Sequence, residues 1–143
     1  MSLYTQAKVL RVLQEKEFER LGSSETVRTD VRIIAATNKD LLALMSKGQF
    51  REDLYYRLNV VTIHLPPLRE RGDDVRLLIE FFLRKYASSL DKPVRGVSPE
   101  AMRILTRHHW PGNIRELENT MERAVLLCEG ETVTKAGLGR MFA

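Results

Sequence analysis

At 143 residues the chain is long enough for one domain or two small subdomains. Its 23 basic and 19 acidic residues are interspersed and leave a net charge of +4, so no strong nucleic-acid footprint appears. The 43% hydrophobic content suits a folded soluble protein, the single Cys128 excludes an internal disulfide and fits a reducing cytoplasm, and no apolar run approaches the ~18 residues of a membrane span.

Residues 4–19 are rich in strong helix formers, with Ala7, Val9, Leu10, Val12 and Leu13 at helical spacing. The end near Phe18 has a second reading, a short strand hairpinned to Thr26-Val27-Arg28. The run VRIIAA at 31–36 is nearly all apolar and rich in β-branched residues, the pattern of a buried parallel strand. Asn38 then caps a helix through Met45 that Gly48 ends, and a short helix follows around 51–56. The run VVTIHL at 60–65 reads as a second buried strand, and the strand–helix–strand order implies an α/β layer.

Pro66-Pro67 stops the sheet portion, because neither proline donates to a ladder and each biases its predecessor away from helix. Residues 68–71 read as a linker, and everything after them as helical. Val75, Leu78, Ile79, Phe82, Leu83 and Tyr86 make one apolar stripe on a long helix, with Asp73 and Asp74 at its dipole-favoured start. Ser98-Pro99-Glu100 opens the next helix, and Asn113 with Glu116 resembles a capping box for a third. The third helix carries the stripe Ile114, Leu117, Met121, Val125 and Cys128; Gly130 ends it, and Thr134 caps a short last helix.

Chemistry concentrates in arginines. Arg51 and Arg57 are six residues apart, so on a straight helix their side chains diverge by about 120° and cannot share one role on one rigid face. One reading gives them separate jobs at a phosphate site formed with another subunit, where a delivered arginine is worth roughly 10³–10⁵ in rate. The plainer reading is a solvated helix face with local ion pairs of ~0.2–0.5 kcal/mol each. Thr37-Asn38 follows the first buried strand, where open α/β sheets collect ligands, or Asn38 only caps the next helix. Arg115 lies in the first turn of its helix, where a cation opposes the dipole and calls for an anion, either a phosphate or a nearby carboxylate. His64, His108, His109 and Cys128 lack metal-ligand spacing, and Cys128 reads as a small packed hydrophobe. The phosphate-loop pattern G-x-x-x-x-G-K-[ST] occurs nowhere.

The segments QAKVLRVLQEKEFERLG, VRIIAATNKDL, GQFREDLYYRLNV, LPPLRERGDDV and WPGNIRELENTMERAVLL, in this order, resemble the central AAA+ domain of sigma-54-dependent transcriptional activators. The resemblance runs from about Gln6 to Thr134. It implies an α/β remnant of an AAA+ P-loop NTPase core over 1–65, a linker at 66–71 and an all-α helical lid over 72–143. It further implies that Thr37 and Asn38 are sensor I, Arg51 and Arg57 paired arginine fingers directed at a neighbouring subunit's ATP, and Arg115 sensor II.

Members of that family form ring oligomers, usually hexamers, that hydrolyse ATP with Mg²⁺ in the cytoplasm to remodel the sigma-54 RNA polymerase closed complex. The loop that touches sigma-54, the Walker A and Walker B residues and the C-terminal DNA-binding domain match nothing in these 143 residues. The chain alone is therefore expected to bind ATP weakly and to be inactive. The family's strand order places another strand between 31–36 and 60–65, so these two are expected to repack, pair directly or drive self-association. Two other readings remain. In one, the helices at 98–108 and 113–127 form a helix-turn-helix DNA-binding module, which Glu116, Glu118 and Glu122 disfavour. In the other, the chain is a different AAA+ branch such as a chelatase or helicase loader.

Overall fold

The computed structural model describes residues 1–20 and 22–139. Its contacts divide the chain into two compact units, residues 1–63 and 64–143.

The first unit begins with helix α1, Leu3–Glu15, whose N-cap Ser2 accepts the Thr5 backbone N–H. Lys16 ends it at a φ of 54°, turning the chain into strand β1, Glu17–Glu19. That strand pairs antiparallel with β2, Thr26–Arg28, in the register Phe18 opposite Val27. The hairpin reading of this region is thus the one adopted. Opposed Glu17 and Arg28 form an ion pair of 2.7 Å across it.

Two short helices follow, α2 at Leu41–Ser46 and α3 at Glu52–Leu58. The N-cap of α2 is Asp40, which accepts from the Ala43 N–H at 3.0 Å; Asn38, expected in that role, lies two residues too early. Gly48 does end this segment. At a φ of 65° it lets its own N–H reach the Met45 carbonyl and the Gln49 N–H reach that of Leu44, the paired bonds of a Schellman cap. Helices α1 and α3 pack on each other, and Gln6, Leu10 and Leu54 are buried.

The two expected parallel strands do not form. Residues 31–36 and 60–65 take no part in any ladder among the described residues, and they do not pair with each other. Their apolar side chains face outward, Ile34 being 86% and Val61 81% exposed. The pattern was that of a strand covered on both sides, but a strand gains its stability from neighbours that take up its N–H and C=O groups. Among the described residues of this unit, the antiparallel pairing is that of the small β1–β2 hairpin.

The second unit is helical, as expected. Residues Leu68–Glu70, within the segment read as a linker, form a 3-10 helix with Leu68 buried. Helix α4, Asp74–Ser89, crosses the unit and buries Val75, Ile79, Phe82 and Leu83 from its stripe, with Leu78 and Tyr86 packed at the margin. Helix α5 is Pro99–Arg107, with Ser98 as its N-cap accepting from Ala101 and proline at the first turn. Helix α6, Asn113–Leu126, packs along α4 and buries Leu117, Met121 and Val125. A short α7, Lys135–Gly139, closes over α5 through Leu138.

One small departure from an all-α unit is a two-residue parallel pairing of β3, Gly96–Val97, with β4, Thr132–Val133. The Cys128 thiol donates to the Gly130 and Thr132 carbonyls beside it and packs against the core. No helix among the described residues is long and apolar enough to cross a membrane.

Helices α4 and α6 are also joined by polar groups. Glu118 Oε1 accepts from Lys85 Nζ at 2.6 Å and from the Tyr86 hydroxyl at 3.0 Å. The Lys85 bond, with the Tyr86 bond second, holds the Glu118 carboxyl below its ordinary range, while burial and the same carboxylate raise the Tyr86 hydroxyl. The folded state therefore binds a proton at Glu118 less readily than the unfolded chain. Stability from this node is complete above the ordinary carboxylate range and fades as pH falls through the lowered folded value. Glu118→Gln is expected to flatten the acid side of the melting temperature–pH profile and to leave its shape unchanged between about pH 6 and 8. An unaltered acid side would remove Glu118 from the account.

Candidate functional site

In the first unit the candidate residues lie at the ends of short elements. Thr37 and Asn38 follow the extended segment 31–36 and are exposed. Thr37 Oγ1 accepts the Lys39 N–H at 3.0 Å, a local turn that sets the chain up for the Asp40 cap.

Arg51 is the N-cap of α3, with φ −77° and ψ 134°. A cation at this end of a helix opposes the dipole, and Asp53 in the first turn relieves it. The pair is bidentate, Nε to Oδ1 at 3.0 Å and Nη2 to Oδ2 at 2.6 Å. Its hydrogen bonds raise Arg51 and lower Asp53 from their ordinary values. Both side chains are more than 40% exposed, so this local pair contributes little to stability. Arg51, Glu52, Asp53 and Tyr56 line an open surface depression of about 500 Å³.

Arg57 occupies the other end of the same helix, where the dipole favours a cation. Its Nη2 donates to the Leu13 carbonyl of α1 at 3.0 Å. That carbonyl is one of the last four of α1, which lack helical partners, so the arginine caps a neighbouring helix with one of its five N–H donors. No carboxylate among the described residues pairs with it. The two arginines are thus brought onto one seven-residue helix but held differently: Arg51 neutralised by its own neighbour, Arg57 charged, exposed and tethered by a single bond.

Sequence reasoning passed over the residue that organises this helix start. Gln6 is 1% exposed and uses both ends of its amide: Nε2 donates to the Met1 and Gln49 carbonyls at 3.2 and 2.9 Å, and Oε1 accepts the Arg51 N–H at 2.8 Å. A signal was present, since Gln6 stands four residues before Leu10 on the apolar face of α1.

In the second unit Arg115 is exposed in the first turn of α6, with no ion-pair partner among the described residues. The turn before it is tightly specified. Trp110 is fully buried and donates its Nε1–H to the Leu105 carbonyl at 2.9 Å, while its backbone takes a φ of 49°. Asn113 also has positive φ, at 53°. Non-glycine residues rarely adopt that region, and here packing and hydrogen bonds hold two of them within four positions.

The expected capping box does not form. Asn113 is the first helical residue and not the cap, and Glu116, now at the fourth helical position, accepts the Gly112 N–H at 2.7 Å, one residue beyond the spacing of a box. Asn113 Oδ1 instead accepts the Leu68 N–H at 2.8 Å and pins the 3-10 helix to the start of α6. Gly112 has no room for a side chain, because a Cβ there would lie 2.8 Å from Glu116 Cβ. This rigid corner fixes the first turn of α6 and with it the root of the Arg115 side chain. Among the described residues no three His, Cys, Asp or Glu side chains gather as a metal site.

Comparison with known proteins places these features. Residues 1–64 match the sigma-54 interaction domain family, and residues 69–143 match the AAA+ ATPase lid domain family. The regulatory protein AtoC of Escherichia coli K12 is 53% identical over 133 residues, covering 93% of this chain and 29% of AtoC. The formate hydrogenlyase transcriptional activator FhlA of the same organism is 55% identical over 133 residues, covering 93% of this chain and 19% of FhlA. The crystal structure of NtrX from Brucella abortus in complex with ATP superposes with a TM-score of 0.88 at 40% identity, covering 100% of this chain and 34% of that one. The chain thus spans about a third or less of the proteins it matches. These matches displace the helix-turn-helix reading of α5 and α6, since both helices fall within the lid family. The chain therefore belongs to the sigma-54-dependent transcriptional activators, as the C-terminal part of their AAA+ ATPase domain, an α/β core portion followed by a helical lid.

Proposed function

We propose that this chain supplies the charge-sensing side of an ATP site in a longer transcriptional activator, whose ring of subunits couples ATP hydrolysis to remodelling of sigma-54 RNA polymerase in the cytoplasm. In this reading Thr37 and Asn38 contact the γ-phosphate, Arg51 and Arg57 reach the ATP of a neighbouring subunit, and Arg115 reports nucleotide state from the lid. The likeness of the whole chain to the ATP complex of NtrX carries the reading. The local electrostatics support it. Arg57 and Arg115 are exposed guanidiniums without a carboxylate partner among the described residues, and Arg115 stands at a helix end that favours an anion beside it.

Mg²⁺ would accompany ATP as counter-charge in the parent protein. The chain's own contribution is positioning and stabilisation of charge, the two terms that dominate phosphoryl transfer. DNA binding by the parent protein would reside outside these residues.

The test is calorimetric. The 143-residue chain titrated with ATP is expected to show no micromolar binding, because it contains no phosphate loop. In the full-length protein, Arg115→Ala is expected to weaken ATP affinity about tenfold, the value of one charge-assisted contact. Micromolar affinity in the chain alone, or unchanged affinity in the variant, would contradict the assignment.

A further inference from the structure

We propose that Gln6 is a positioning residue for Arg51, acting across the α1–α3 contact to fix the helix start from which the arginine is presented. The proposal rests on the reading of Arg51 as a phosphate-reaching group.

The N-cap N–H of a helix has no helical partner, and the usual solution is a Glu or Gln at the third helical position folding back onto it. In α3 that third position is Leu54, which is fully buried and has no acceptor. Gln6 provides the missing acceptor from another helix, its Oε1 lying 2.8 Å from the Arg51 nitrogen. Its Nε2 meanwhile holds the Gln49 carbonyl at 2.9 Å, two residues earlier. A donor on one side and an acceptor on the other fix which way the amide faces, so it works as a two-point gauge of the backbone at 49–51.

The upstream end of that backbone is set as well, since the Gly48 cap of α2 delivers Gln49. Arg51 therefore enters α3 from a segment fixed at both ends. Its side chain, by contrast, is held among the described residues by the exposed Asp53 alone. A guanidinium that must leave Asp53 for a phosphate keeps its aim only if its Cα does not move. Burial makes the gauge stiff, because losing either bond would cost the buried Gln6 amide a partner where water does not replace it.

The experiment uses the full-length activator. Gln6→Leu is expected to lower kcat for ATP on the order of 10²-fold, the cost of a small misplacement at the reacting centre, while KM for ATP stays within about threefold. Because the arginine acts on a neighbour, mixing Gln6→Leu subunits with subunits unable to bind ATP is expected to restore turnover. Mixing them with Arg51→Ala subunits is not. Restoration in both mixtures or in neither would overturn the proposal, as neither pattern places the lesion at Arg51.

Gln6→Glu covers the case in which the leucine variant does not fold. Its ionised carboxylate accepts from Arg51 but repels the Gln49 carbonyl, whereas the protonated form, favoured by burial, donates to it. Its turnover relative to the parent protein is therefore expected to rise as pH is lowered from about 8 to about 6. A flat ratio would overturn the proposal. Loss of turnover in Arg51→Ala with full turnover in Gln6→Leu would sink this inference alone. Full turnover in Arg51→Ala would sink the reading beneath it.

Discussion

Replacing Arg57 with alanine in the full-length activator is expected to lower ATP turnover by roughly 10³–10⁵-fold, the range measured when a transition-state arginine is lost. ATP affinity of the same subunit should change little, since the proposed role places the arginine at the ATP of the next one. The structure also bounds the cost to folding. Arg57 gives up one hydrogen bond, to the Leu13 carbonyl, at an exposed position, which is about 0.5–1.5 kcal/mol. That is far less than the ~4–7 kcal/mol of barrier implied by the rate loss. Stability and turnover should therefore separate cleanly, with a small shift in melting temperature beside near-complete loss of hydrolysis. Arg57→Lys keeps the charge but not the planar fork, so it is expected to recover only a small part of the rate. Turnover within tenfold of the parent in Arg57→Ala would remove Arg57 from the reaction.

The largest effect on folding is expected at Trp110. The side chain is fully buried, its Nε1–H satisfies the Leu105 carbonyl, and its ring meets that of His108 edge to face at 4.5 Å. Truncation to alanine should destabilise the helical unit by about 3–5 kcal/mol, a large share of what a small domain possesses. Trp110→Phe separates the two contributions, since it keeps most of the ring but strands the Leu105 carbonyl, at about 1–3 kcal/mol. Chemical denaturation followed by circular dichroism gives both values. A loss below about 1.5 kcal/mol for alanine would show that the corner before α6 is not built on this side chain. The corner matters beyond stability, because it fixes the first turn of α6 where Arg115 begins. Trp110→Ala in the full-length protein should therefore weaken nucleotide response as well, though Arg115 itself is intact.

Local chemistry accounts for how much of this architecture could be read in advance. The apolar stripe of α4, the Ser98-Pro99 start of α5 and the Gly48 stop depend on residues within four or five positions of one another, and the sequence displays those spacings directly. The arginines could be singled out, and their divergence on one helix computed, from spacing alone. Family membership was legible because several motifs stand in a fixed order. Which partner each polar group takes was settled only by tertiary structure. Asn113 carries the signature of a local cap, yet its amide serves Leu68, 45 positions away. Gln6 looks like one polar residue in a helix, yet it accepts the N–H of a helix N-cap 45 positions later. The runs at 31–36 and 60–65 carry strand patterns in full, and both lie open. A helix satisfies its own backbone and so announces itself in a short window, whereas a sheet edge or a buried amide depends on groups that the local sequence does not contain.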